Sequence, residues 1–186
     1  DGHVAKANWP DSLDEAHLVQ LWRTNAGQSY SGPIVDKSRV YITESRNRKI
    51  EVVRALDRKT GAELWSHSWE GAMNVPFFAK ANGDWIRSTP ATDGERLFVA
   101  GMRDVLVCLD NATGTELWRF DFPKETNSPL PSFGFVCSPL VHDGAVYVQA
   151  GGGFAKLNAK TGVLDWHVLK DGGGMFGSAF SSPTLF

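Results

Sequence analysis

Cysteine is scarce, and metal-binding patterns are missing altogether. Only Cys108 and Cys137 occur in 186 residues, with no CxxC and no adjacent pair, which removes redox-pair and zinc-ribbon readings. Both lie in apolar strand-like runs, VLVCLD and FGFVCSPLV, and read as buried free thiols, with a disulfide as the alternative. The five histidines (His3, His17, His67, His142, His167) never pair at a ligand spacing. No HExxH or EF-hand loop appears, so no metal is expected. GxSxG is absent, and no Ser–His–Asp set can be drawn from spacing, so no catalytic residue is assigned. Lys plus Arg is 19 against 21 for Asp plus Glu, a formal charge of -2. That balance carries no footprint for nucleic acid or an anionic membrane. No apolar run approaches the ~18 residues of a transmembrane span. What remains is 42% hydrophobic and 22% charged, enough for one sizeable core over residues 1–186.

Glycine and tryptophan are plentiful, at 19 and seven, and they fall in a repeat. Residues 55–65 read ALDRKTGAELW, 108–118 read CLDNATGTELW, and 156–166 read KLNAKTGVLDW. Aligned, Asp57, Asp110 and Asn158 share one position, Thr60-Gly61, Thr113-Gly114 and Thr161-Gly162 the next, and Trp65, Trp118 and Trp166 close each copy. The tryptophans stand 53 and 48 residues apart. Upstream of each copy lies a second pattern, SGPIVDKSRVYIT, STPATDGERLFVA and SSPLVHDGAVYVQ. Each has a small residue before Pro, a turn near Asp, then an alternating β-branched and aromatic run. A fourth begins at SSPTLF. No helical period appears in any unit.

A period near 50 built from short strands predicts an all-β protein, a β-propeller of four-stranded antiparallel blades. Strand A carries the Pro (about 29–35, 86–92 and 135–141), where a residue without an N–H sits at a poorly paired inner position. Strand B is VYIT, LFVA or VYVQ. Strand C runs into the repeated Asp or Asn, and strand D carries the Trp. The Asp or Asn can accept backbone N–H bonds just ahead, and Gly supplies a positive φ. The Trp then covers the flank of the next blade. One site does not need three copies, so these repeated residues read as scaffold.

The AxDxxTGxxxW ending of each unit resembles the tryptophan-docking repeat of the PQQ-like (quinoprotein) β-propeller family, over about residues 31–186. That family includes quinoprotein alcohol dehydrogenases and the propeller lipoprotein of the bacterial outer-membrane assembly machine. A WD repeat fits less well, since Asp165-Trp166 is in reversed order without a Gly-His partner. The resemblance implies blades at 29–69, 86–122 and 134–168, with a next blade starting over 178–186. It also implies that residues 17–27, HLVQLWRTNAG with Trp22, form a D strand closing the last blade of a longer ring of roughly seven or eight blades. A closed four-blade ring would leave two strands with open edges. Export to the periplasm or cell envelope is implied by the family alone, because the chain opens DGHVAKAN without a signal-peptide pattern. The reading is a non-enzymatic scaffold binding a protein or a small apolar ligand. The alternatives are part of a dehydrogenase holding PQQ and calcium, or a sensor propeller of a larger protein such as a kinase. Dehydrogenases of the family carry an adjacent Cys-Cys pair, which this chain lacks.

Antiparallel blades have two ends. A–B and C–D turns share one, where the Thr-Gly turns crowd. B–C and D–A connections share the other. The D–A connections, residues 71–85, 123–133 and 170–177, are longer than blade hairpins usually are. They place Phe77, Phe78, Trp85, Phe133, Met175 and Phe176 on one rim, with Arg87 beside the strand-A proline, as a candidate binding face. Gly151–Gly153 and Gly172–Gly174 lack the order of a phosphate loop. The sequon at Asn111 falls inside a repeated turn.

Overall fold

The computed structural model describes residues 10–175, 177 and 180–185. Its strands form three four-stranded antiparallel sheets. The first blade is β1 (Ile34–Val35), β2 (Arg39–Arg46), β3 (Ile50–Asp57) and β4 (Glu63–Glu70). The second is β5 (Ala91–Thr92), β6 (Arg96–Gly101), β7 (Val105–Asp110) and β8 (Glu116–Asp121). The third is β9 (Leu140–His142), β10 (Ala145–Ala150), β11 (Gly153–Asn158) and β12 (Leu164–Val168). Neighbours in sequence are neighbours in each sheet, so these are open arcs of a partial β-propeller.

The period-2 alternation of the middle blade explains how the blades pack. Leu97, Val99, Val105, Val107 and Leu109 face the first blade, in one core with Tyr41, Val53, Ala55 and Trp65. Phe98, Ala100, Leu106 and Cys108 point the other way, into a core with Val146, Val148, Ala155 and Leu157 of the third. Successive strand residues point to opposite faces, so a blade covered on both flanks needs an apolar residue at nearly every position. This accounts for the uninterrupted run VLVCL. Cys108 and Cys137 are both buried and free, with burial pushing their thiols up to about 12 and about 11.

Three expectations change. The A strands shrink to two or three residues after Pro33, Pro90 and Pro139. The residue before proline instead reaches the next blade. Gly32 N donates to Thr89 Oγ1 (3.1 Å), Thr89 N to Ser138 Oγ (3.1 Å) and Ser138 N to Ser182 Oγ (2.9 Å). Residues 17–27, expected as a D strand, carry no ladder, since no C strand lies beside them among the described residues; next to them Gln28 bridges to Ser45. Two D–A connections also hold short helices, a 3-10 turn at Phe77–Asn82 and α1 at Phe122–Thr126. Asp121 caps α1 through Lys124 N, with Pro123 in its first turn. Local capping thus makes a helix that no apolar period announces.

The repeated segment makes one contact three times. Oδ1 of Asp57 accepts from Lys59 N, Thr60 N and Thr60 Oγ1 at 3.0, 2.8 and 2.9 Å. Asp110 does the same with Ala112 and Thr113, and Asn158 with the amides of Lys160 and Thr161. Hydrogen bonds to Thr hold the carboxyls of Asp57 and Asp110 below the usual range. Gly61, Gly114 and Gly162 follow with φ of 73°, 73° and 72°. Against each glycine lies an indole from the preceding unit. Trp22 Nε1 donates to Arg58 O (2.9 Å), Trp65 Nε1 to Asn111 O (3.2 Å) and Trp118 Nε1 to Ala159 O (3.1 Å). Each acceptor is the residue after the turn Asp or Asn. A Cβ on any of the three glycines would overlap the ring. Asn111 is itself buried, its amide held by Asp36 and Gly94 O, so the sequon side chain is committed to the turn. Trp166 is half-buried against Tyr147 and Phe154 of its own blade.

Removing the ring and removing its hydrogen bond are separable. Trp65→Ala is expected to lower the unfolding free energy by ~3–5 kcal/mol through lost burial. Trp65→Phe keeps most of the area and leaves Asn111 O unpaired, so a loss of ~1–3 kcal/mol is expected. Urea titration of both variants reads the two values; a Trp65→Ala protein as stable as the parent contradicts the docking role.

Candidate functional site

The B–C and D–A end differs from the turn end in chemistry. Its floor is a seam of buried carboxylates. Glu51, 1% exposed, accepts Trp69 Nε1 at 2.7 Å from its own blade and Met102 N at 2.8 Å from the second. Asp104, 3% exposed, accepts Gly151 N of the third blade at 2.7 Å. Met102 and Gly151 are each the first residue past a B strand, so the two bonds are copies of one contact. A Cβ on Gly71 or Gly101 would strike the Glu51 carboxylate. Burial dominates both titrations: Glu51 is raised to about 7 and Asp104 to about 6, against the lowering effect of their N–H donors.

Sequence reasoning missed this pair, although a signal exists. Glu51 stands six residues before Asp57 and Asp104 six before Asp110, and the third copy has Gly152 there. The glycine triplets do meet, around a cavity of about 120 Å³ beside Asp104. Gly151 N is taken by Asp104 and Gly173 N by Asp171 Oδ1.

Above the seam, the structure brings together part of the expected aromatic face and separates the rest. Phe77 and Phe78 open the 3-10 turn at 84% and 58% exposure. Their rings meet edge-on at 5.5 Å. Phe78 lies 6.2 Å from Phe133, and Phe133 lies 5.8 Å from Phe180, a member the sequence did not suggest. Beneath them Val75, Ala79 and Met102 are buried, with Met73 and Phe133 packed alongside. Trp85 turns away and stacks on Tyr30 at 5.3 Å. Arg87 joins that second group, its guanidinium 5.2 Å over Tyr30 and Nη2 donating to Gly83 O. Met175 is exposed, and Phe176 lies outside the described residues.

The family model described as outer membrane protein assembly factor BamB, a PQQ-like repeat model, matches residues 48–185. The chain belongs to the PQQ-like β-propeller family. Among curated proteins it is 32% identical to the serine/threonine-protein kinase AfsK of Streptomyces griseus, over 82% of this chain and 18% of the kinase. It is 28% identical to quinohemoprotein alcohol dehydrogenase ADH IIB of Pseudomonas putida, over 72% of this chain and 19% of that enzyme. A solved quinohemoprotein alcohol dehydrogenase from Comamonas testosteroni superposes with a TM-score of 0.56 at 22% identity, over 77% of this chain and 21% of that one; it shows the fold alone. The chain spans about a fifth of the length of the curated relatives it matches.

Among the described residues of this segment, no set of donors for calcium or a quinone comes together. Cys108 and Cys137 are buried in separate blades. Glu51 and Asp104 are turned into the seam. Among the described residues no three His, Cys, Asp or Glu side chains cluster to hold a metal.

The seam has a pH signature. Folding raises Glu51 from 4.5 to about 7 and Asp104 from 3.8 to about 6. The native state therefore holds protons that the unfolded chain has released, and stability falls as pH rises through this window. Carboxyls lowered by folding, such as Asp36 at about 2, complete their opposite contribution below it. An unfolding free energy lower by ~4 kcal/mol at pH 8 than at pH 5 is expected from the two groups together. Glu51→Gln should flatten the slope, although its amide faces the Trp69 donor and costs stability at pH 5. Denaturation at a series of pH values checks this; an unchanged slope in Glu51→Gln assigns the dependence elsewhere.

Proposed function

We propose that this PQQ-like propeller segment is a non-enzymatic binding scaffold of the cell envelope that uses the Phe77–Phe78–Phe133 rim to hold a protein partner. The observation carrying this reading is the exposure of Phe77 and Phe78 at 84% and 58% on a connection anchored by the buried Val75 and Ala79. Isolated exposed apolar residues are ordinary, whereas a cluster on a rigid rim is the usual form of a binding patch. The envelope location rests on the family, whose matching model bears the name of an outer membrane assembly factor. Among the described residues no helix is long and apolar enough to cross a membrane.

A sensor segment of a larger protein is the second reading. It is favoured by the kinase relative, which matches 82% of this chain with 18% of its own length. The two readings share the rim and differ in what the rim reports to.

The test is capture of partners from envelope extracts by the whole chain and by variants. Phe77→Ala and Phe78→Ala should each weaken capture, by ~2 kcal/mol where the side chain anchors the contact, and leave the melting temperature near that of the parent. Phe133→Ala, half-buried against Met102, should lower both. Unchanged capture with a lowered melt in all three would assign the phenylalanines to the core.

A further inference from the structure

We propose, resting on the rim reading above, that the occupant of the rim is an acidic protein segment with apolar anchors, an extended chain carrying Asp or Glu beside Phe- or Leu-like side chains. Residues 71–76 link β4 to the 3-10 turn that carries Phe77 and Phe78. An open cleft between the B–C turns of the first two blades is lined by Lys49, Glu70, Ala72 and Arg103. A second cleft holds Arg48, Lys49, Asn74 and Asp84 with Met73. Met73 also packs with Val75, Ala79, Met102 and Phe133, so cleft and patch share a wall.

The charges of this end are unbalanced in one direction. Arg54, Arg96 and Arg119 each pair with a carboxylate along the blades. Arg48, Lys49, Lys80 and Arg103 form no ion pair among the described residues, and Arg103 reaches only the Ala72 carbonyl at 3.5 Å. The acids beside them in sequence are buried: Glu51 and Asp104 in the seam, and Glu44 against Arg46 and Gly27 N. Glu70 and Asp84 remain on the cleft walls, against three cations, Arg48, Lys49 and Arg103. The whole chain is acidic at -2, so the excess is local. Exposed phenylalanines supply affinity, and unpaired cations supply steering and choice of partner. A single-stranded nucleic acid would also meet cations and aromatics, but bases stack on open ring faces. Here Phe77 and Phe78 cross at 82°, and carboxylates interrupt the cations.

The probes are three fluorescein-labelled peptides sharing one Phe/Leu pattern, with Glu, Lys or Ser at the remaining positions, and a labelled thymidine oligonucleotide. Anisotropy is read against the whole chain at low and physiological salt. The Glu peptide is expected to bind at least ~10-fold tighter than the Lys peptide, with the advantage shrinking as salt rises. Arg48→Glu, Lys49→Glu and Arg103→Glu together should invert that order without moving the melting temperature. Phe77→Ser with Phe78→Ser should weaken all three peptides alike. A Ser peptide as tight as the Glu peptide, with the phenylalanine effect intact, overturns the acidic class and leaves the rim. Peptides indifferent to the phenylalanine changes, or no peptide binding, overturn the rim itself. An oligonucleotide as tight as the Glu peptide replaces the protein segment with nucleic acid.

Discussion

An indole N–H reaching a carbonyl across the face of a glycine is the contact on which this arc of blades depends. It sets three requirements at once. The donor must be long and flat, which selects Trp. The acceptor must sit at the shoulder of a tight turn, which selects Asp or Asn to gather the amides ahead of it. The surface beneath the ring must lack a Cβ and tolerate a φ near 73°, which selects Gly. Trp22, Trp65 and Trp118 each meet these conditions on the following turn. The threefold sentence in the sequence is thus the record of one interface written once per blade, and it leaves the opposite end free to vary.

The same interface changes character along its length. At the inner end it runs through neutral hydroxyls, Thr89, Ser138 and Ser182 taking the amides that precede each proline. In the middle it is apolar, with Val107 and Leu106 of one strand serving opposite cores. At the B–C end it closes on Glu51 and Asp104, where burial makes stability depend on pH. Three chemistries hold adjacent blades at three places, so backbone positions at the B–C end are tied to the neighbouring blade. The D–A connections rise from that fixed edge, and the Phe77–Phe78 pair is presented by a scaffold rather than by a loose loop.

Much of this was legible in the chain, for a physical reason. Docking and turn chemistry act between residues close in the repeat and recur, so Asp57, Gly61 and Trp65 could be read against their copies. Strand pairing follows from the alternation. The length of the A strands was not legible, because Pro marks a weak pairing site without saying that the preceding amide leaves its own sheet. The helix at Phe122–Thr126 has a capping Asp and a Pro but no apolar period. On the rim, sequence placed Phe77 and Trp85 together because they share a connection, with Arg87 just past its end. Tyr30, from a distant segment, draws the last two away. Glu51 and Asp104 were visible only by aligning the copies six residues upstream of the turn, where charged residues otherwise read as exposed strand ends.

The docking contact is tested most directly by a double-mutant cycle between Trp65 and Gly114. In the parent, Gly114→Ala must accommodate both a positive φ and a Cβ overlapping the Trp65 ring. In the Trp65→Ala background only the φ cost remains. The penalty of Gly114→Ala, read by urea denaturation, should therefore be smaller in that background by ~1 kcal/mol or more. Equal penalties in the two backgrounds would mean that the ring does not rest on the glycine, and that the blades are joined by something else.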